Sequence, residues 1–206
     1  MNYSNKPLRL HLGSGGIRIP GYLNIDLVSG KNVDIVDDVG LLSQFESGTV
    51  DSIYACHVLE HFSHEQGTVT ISCVQVLNRW FELLKPGGEL FVAVPNSKEI
   101  FRAILKKPTR CDSSKFFMAI YGGQEYPTNV HYSGYTYESL KEILKKVGFK
   151  NVSFFKPFVN DTTKFCIQGV KVSLNLKAIK EVNSIYKTNS RWTRIFNLFK
   201  EINFKK

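Results

Sequence analysis

Two groups of side chains in this sequence have the types and spacing for proton chemistry. The first is HVLEH at 57–61, where His57, Glu60 and His61 fall within five positions. The second is His131, alone in a stretch rich in tyrosine, glycine and asparagine. Imidazole titrates near neutral pH, so a histidine in either group could take a proton from a hydroxyl acceptor. His131 is the first candidate for a general base and His57 the second. Each has a structural alternative: His131 bonding loop backbone, His57 packing against a cofactor without moving a proton. If 57–61 is helical, His57, Glu60 and His61 share one face, which also suits a metal ion. Here Glu60 and His61 are read as stabilising the start of the following helix, and no metal is expected.

A third group is built for binding. Gly13, Ser14, Gly15 and Gly16 follow a short alternating run, Leu8 to Leu12, that reads as a strand. Small residues at a strand exit let backbone approach a bulky ligand. Asp26 ends a second strand-like run, and a carboxylate there can accept two ribose hydroxyls. The spacing discriminates between cofactors. A dinucleotide site needs GxGxxG opening a full helix and an acid about 20 residues on. Asp26 comes only thirteen positions after Gly13, with Pro20 and Gly21 between. No full helix fits, so no helix N-terminus stands ready for a pyrophosphate. The pattern favours a cofactor with one ribose and no phosphate.

These residues must be positioned by strands and helices. Strands are expected at 8–12, 21–26, 33–38, 50–56 and 89–95, and closing strands at 152–158 and 166–176. A helix is expected over roughly 65–84, with Val74, Leu77, Phe81 and Leu84 at helical spacing and Lys85-Pro-Gly-Gly88 ending it. A second runs from Tyr137 to Val147, with Thr136 as N-cap, a stripe of Leu140, Ile143, Leu144 and Val147, and Gly148 as the C-terminal cap. The stretch 96–135 reads as irregular. Strands alternating with helices imply an α/β fold, a mostly parallel sheet with helices on both faces. In such sheets ligands sit beyond the carboxyl ends of the strands, where strand order reverses. The candidate residues all lie at such ends or in loops beyond them.

LHLGSGG (10–16), GYLNIDL (21–27), DSIYACHVLEHF (51–62) and LKPGGELFVAVPN (84–96) occur in this order. Together they resemble the motifs of class I methyltransferases that use S-adenosylmethionine (SAM). More narrowly the chain resembles small methyltransferases associated with surface-polysaccharide synthesis, which carry a YGGQ…N…H…GY segment after the fifth strand. Here that segment is Tyr121 to Gln124, Asn129, His131, Gly134 and Tyr135. The resemblance covers roughly residues 8 to 176 and implies a single Rossmann-like domain. It implies that Gly13, Ser14 and Gly15 pass under the methionine part of SAM and that Asp26 binds the ribose. It implies that Asp38 faces the adenine amino group, with Val39 against the ring, and that Ala55, Cys56 and His57 line the methionine and the transferring methyl. Asp37 beside Asp38 could exchange roles with it, and Asp38 could instead serve a turn. Ile17 stands where a third glycine is usual.

The 206 residues carry 43% hydrophobic and 22% charged side chains, which suits one globular domain. No apolar run approaches a membrane span, and no signal peptide is evident. The four cysteines form no CxxC pair, so free thiols in a reducing, cytoplasmic setting are expected. The net charge is +9, of which the stretch from Lys177 on, with eight Lys/Arg against two Glu, contributes +6. The body is nearly balanced, which argues against nucleic acid as partner. Residues 1–176 are read as the methyltransferase domain and 177–206 as a basic amphipathic tail. In 191–206, Trp192, Ile195, Phe199 and Ile202 would form one helical stripe flanked by cations. It fits packing on the domain or in a homodimer, or docking to a membrane surface or partner enzyme.

The acceptor expected is a sugar or glycan precursor methylated on oxygen. The alternatives are a quinone or lipid-linked small molecule, and a SAM-binding partner subunit without turnover. Tyr121, Tyr126, Tyr132, Tyr135 and Tyr137 could offer faces to a sugar or ring, or simply pack a loop.

Overall fold

The computed structural model describes residues 6–65, 71–106 and 113–182. Leu10 and Leu12 are fully buried, and they alternate with His11 on the other face of β1 (Arg9–Leu12). Beside it lie β2 (Leu23–Asp26), β3 (Ile35–Val36), β4 (Val50–Cys56) and β5 (Leu84–Pro95), the last two with runs buried on both faces, Ser52 to Ala55 and Val92 to Pro95. With β6 (Lys150–Phe154) and β9 (Ser173–Ile179) they form a seven-stranded sheet of order β3-β2-β1-β4-β5-β9-β6. The pairs from β3 to β5 are parallel. β9 lies antiparallel between β5 and β6. A two-stranded ribbon, β7 (Cys166–Ile167) with β8 (Val170–Lys171), lies apart.

The apolar face of the sheet packs against α1 (Cys73–Leu83) and α4 (Tyr137–Val147) in one core. α1 starts later than the expected residue 65. Ser72 and Gln75 form a reciprocal capping box that satisfies its first amides. Its buried face is Cys73, Val76, Leu77, Trp80 and Leu83, while Val74 points outward at 38% exposure. The stripe is therefore turned from the expected one, because Trp80 takes the centre and its indole donates to the Val39 carbonyl at 2.8 Å. Lys180 is fully buried and gives its ammonium to the carbonyls of Phe81 and Leu84, each at 2.8 Å, closing the end of α1. α4 has the expected bounds, with Thr136 and Ser139 as its capping box and Gly148 at φ +122° beyond it.

A further sequence expectation changes here. The stretch 96–135 contains α2 (Ser97–Lys106) and α3 (Ser113–Tyr121). They form a small second core of Ile100, Phe116, Ile167 and Val172 with the β7–β8 ribbon, a partner that sequence spacing does not reveal. The domain boundary expected at 176/177 falls inside β9, whose alternation of buried and half-buried residues continues to Ile179. The tail stripe at 191–206 lies outside the described residues. The second face of the sheet carries His11, Tyr54 and Phe91, met edge-on by Phe155 and Phe158 of the loop after β6. No helix among the described residues is long and apolar enough to cross a membrane.

Candidate active site

Strand order reverses between β1 and β4, where Leu12 pairs with Ala55. The chain leaving β1 at Gly13 and the chain leaving β4 at His57 therefore open one crevice, the usual ligand position in such a sheet. Gly13 sits at φ +63°, and a β-carbon there would run into the Val58 side chain. Only glycine meets both conditions. Gly15 is also left-handed, at φ +51°, but a β-carbon on it would meet open space. The loop therefore presents bare backbone to the crevice.

Asp26 closes this loop from the end of β2. Its carboxylate accepts the Gly15 amide at 2.7 Å on one oxygen and the Val28 amide at 3.0 Å on the other. Each oxygen keeps a further lone pair for a hydroxyl donor. The Ser14 hydroxyl is buried beneath the loop with no hydrogen-bond partner among the described residues. The Asp38 carboxylate accepts the Gly40 amide at 2.8 Å and its carbonyl those of Leu41 and Leu42, so it shapes the turn after β3. Asp37 bonds the Asp38 amide and Gln44. Val39 is in the main core. Cys56 bonds Thr162 through sulfur at 3.2 Å, and burial pushes its thiol up to about 12, so it is not a nucleophile near neutral pH.

The histidines meet around Glu60. His57 stands at φ +54°, just past β4. Residues Leu59–His61 form a single 3-10 turn, not the start of α1. Glu60 is fully buried. His57 Nδ1 lies 3.0 Å from Glu60 Oε1, and His131 Nε2 lies 4.0 Å from it. Neither oxygen of Glu60 has an aligned hydrogen bond, so its partners are electrostatic. Burial alone would raise the Glu60 carboxyl, but His57, His131 and His61 outweigh it and hold it below its ordinary value. His131 reaches this cluster because the amides of Tyr132 and Ser133 bond the Glu60 carbonyl at 2.8 and 3.2 Å. Its ring meets the His61 ring edge-on at 4.9 Å, and His61 Nδ1 bonds the Val130 carbonyl at 2.9 Å. Burial, more than the opposing Glu60 carboxylate, holds His131 below the ordinary 6.5. Atoms of Glu60, His61 and His131 able to bind metal lie within 4.8 Å of one another, a spacing that a cation could also bridge.

Sequence reasoning missed the residues that hold His57. Asn175 donates to the Thr163 carbonyl at 2.9 Å, which leaves its oxygen to accept the Ser173 hydroxyl at 2.8 Å. Ser173 has one proton, so it accepts at 3.1 Å from His57 Nε2–H. Both ring nitrogens of His57 are thus engaged, while His131 Nδ1 is buried without a hydrogen bond. The closing strand expected at 166–176 is broken into β7, β8 and β9, and nothing in the spacing of Ser173 and Asn175 marks them. The tyrosine cluster does not act as one surface. Tyr135 is fully buried, Tyr137 stacks on Phe154, and Tyr121, Tyr126 and Tyr132 are exposed.

Comparison with the sequences of curated proteins finds no match. Among solved structures, a SAM-dependent methyltransferase of Archaeoglobus fulgidus superposes with a TM-score of 0.55 at 18% identity, covering 85% of this chain and 87% of that one. A Burkholderia thailandensis 1,6-didemethyltoxoflavin-N1-methyltransferase, solved with S-adenosylhomocysteine, gives 0.51 at 17%, covering 85% and 72%. A complex of the Haloferax volcanii Trm112 methyltransferase activator with a methyltransferase gives 0.51 at 12%, covering 87% and 84%. At these identities the likeness shows the fold alone. The family profile described as a methyltransferase domain matches residues 21–154, from the turn before β2 to the end of β6. By that match the chain belongs to the methyltransferase domain family.

Proposed function

We propose that this protein binds SAM at the β1–β2 edge of the crevice and methylates an oxygen of a sugar or glycan precursor. The observation that carries the reading is the pairing across the switch point. A glycine-rich loop closed by Asp26 stands on one side, and histidines around a buried carboxylate stand on the other. Bound SAM would supply a methyl group on a sulfonium, ready for an in-line nucleophile. Gly13 and Gly15 would let the backbone lie against it, Asp26 would accept its ribose hydroxyls, and Ser14 has a buried hydroxyl free to bond it. Asp38 and Val39 are assigned to the adenine end, and Cys56 and His57 to the methionine end.

The protein's own part in the reaction is positioning and proton removal. His131 is the better base. It is held below the ordinary imidazole value, which favours the neutral form at pH 7, and its Nε2 lies 4.0 Å from the Glu60 carboxylate. His57, whose Nε2–H donates to Ser173 and whose Nδ1 lies 3.0 Å from Glu60, positions the acceptor side. Glu60 would stabilise the imidazolium once His131 has taken the proton. The sugar assignment is supported by the likeness of the 121–135 segment to polysaccharide-associated methyltransferases.

Titration calorimetry of the purified protein with SAM and, separately, with NAD tests the cofactor. Binding of SAM alone is expected. A folded protein that ignores SAM would overturn the assignment and leave a partner subunit as the reading. Methyl transfer to nucleotide sugars and glycans, followed by mass spectrometry, then tests the acceptor, and products on a quinone alone would refute the sugar.

A further inference from the structure

Ser173 and Asn175, which orient His57, also line a cavity of about 470 Å3. Its volume is in the range that holds a small-molecule ligand, and it begins where the histidine cluster ends. Three lysines from separate segments stand in its wall: Lys156 after β6, Lys164 at the end of the 3-10 turn Thr162–Lys164, and Lys171 on β8. The one acidic residue there, Glu99, is taken by Arg102 at 2.7 Å. Four lysines outside the cavity meet carboxylates: Lys85 with Asp51, Lys177 with Glu89, Lys146 with Glu142, Lys98 with Glu138. None of the three cavity lysines makes such an ion pair among the described residues, and Lys164 reaches only the Asn160 amide oxygen, at 3.5 Å. Phe154 and Phe165, 67% and 44% exposed, add aromatic surface to the same wall.

Three exposed cations from separate segments around one opening, with its one carboxylate already paired, favour an anion there. Aromatic surface beside the cations suits a ring or sugar carried with the anion. We infer that this cavity receives the phosphate or diphosphate of the acceptor, so that the substrate is a phosphorylated compound and not a neutral sugar. The inference rests on the methyl-transfer reading for the word acceptor, but the anion site itself does not depend on SAM.

The test is titration of the full chain with inorganic pyrophosphate and, in parallel, with SAM. Variants K164A, K171A and the double variant are compared with K146A on α4 as a surface control. Pyrophosphate is expected to bind the parent and K146A alike, and to bind each cavity variant about threefold or more weakly. The double variant should be weakest, and SAM affinity should be unchanged throughout. Affinity should fall as salt rises. SAM binding without pyrophosphate binding, or equal pyrophosphate affinity in the double variant and parent, would overturn the anion site and leave the methyltransferase reading standing. Pyrophosphate binding without SAM binding would do the reverse. Competition identifies the source of the phosphate. Displacement by uridine diphosphate and not by phosphatidylglycerol vesicles means a nucleotide-linked acceptor, and the opposite result a lipid-linked one.

Discussion

The two walls of the crevice are assembled in different ways. On the side proposed for the cofactor, the Gly15 amide bonds Asp26 eleven positions away and the Ser14 amide bonds the Ile25 carbonyl at the same separation. One strand-loop-strand unit makes the whole surface. On the acceptor side, Cys56 meets Thr162, His57 meets Ser173 and His61 meets Val130, at separations of 106, 116 and 69. That wall exists only when β4, the 129–135 segment and β9 are all in place. The cofactor wall should therefore respond to substitutions that act through local backbone and hydrogen bonds. The acceptor wall should respond in turnover, and at His131, which is not assigned to SAM, cofactor affinity should stay unchanged.

His131→Ala is the strongest separation of the two walls. Turnover should fall roughly 10²- to 10⁴-fold, the range for loss of a general base, with SAM affinity unchanged by calorimetry. Equal turnover in variant and parent would remove His131 from the chemistry. Asp26→Ala should do the opposite, weakening SAM by about 1.5–3 kcal/mol through lost charge-assisted hydrogen bonds. An unaltered Kd would sink the ribose assignment. Gly13→Ala should lower stability by about 1–2 kcal/mol from the left-handed backbone alone, with more from the Val58 contact. Thermal unfolding reads this directly, and an unchanged Tm would show that the loop shifts at little cost.

A smaller effect concerns pH. His131 works as a base only when neutral, and its pKa in the fold lies below 6.5. The kcat/KM should be flat near pH 7 and decline as pH falls below 6.5, and the decline should disappear in His131→Ala. The same sign holds for stability: the unfolded chain gains a proton on this residue at higher pH than the folded one, so stability also falls as pH drops through that window. Last is an effect expected to be nil. Dialysis against EDTA should leave turnover unchanged if Glu60, His61 and His131 serve proton transfer, and a metal-restorable loss would reassign them as ligands.

The strand-loop-strand geometry of β1 and β2 could be read from residue order, because strand alternation at 8–12, glycines at a strand exit and an acid at the next strand end are local signals. α4 was legible to its ends for the same reason, with Thr136, an apolar stripe and Gly148 all in one segment. α1 was legible as a helix but not in its facing, since Val74 and Val76 are alike in sequence and only Trp80 docking under Val39 decides between them. α2 and α3 were missed because their partner is a ribbon far downstream in the chain, as the contact of Ile100 and Phe116 with Ile167 shows.

The sequence by itself determined the alternation that makes a mostly parallel sheet, the glycine loop and the carboxylate thirteen positions on. These follow from backbone conformation and from periods of two and 3.6, which neighbouring residues express without help. Only the tertiary structure decided that β9 enters between β5 and β6, and with it that Ser173 and Asn175 orient His57. The folded chain also decided that Glu60 is buried among three histidines and that Lys156, Lys164 and Lys171 share one cavity. Those placements rest on contacts between segments far apart in the chain, where burial changes what a charge costs and no local pattern announces the partner.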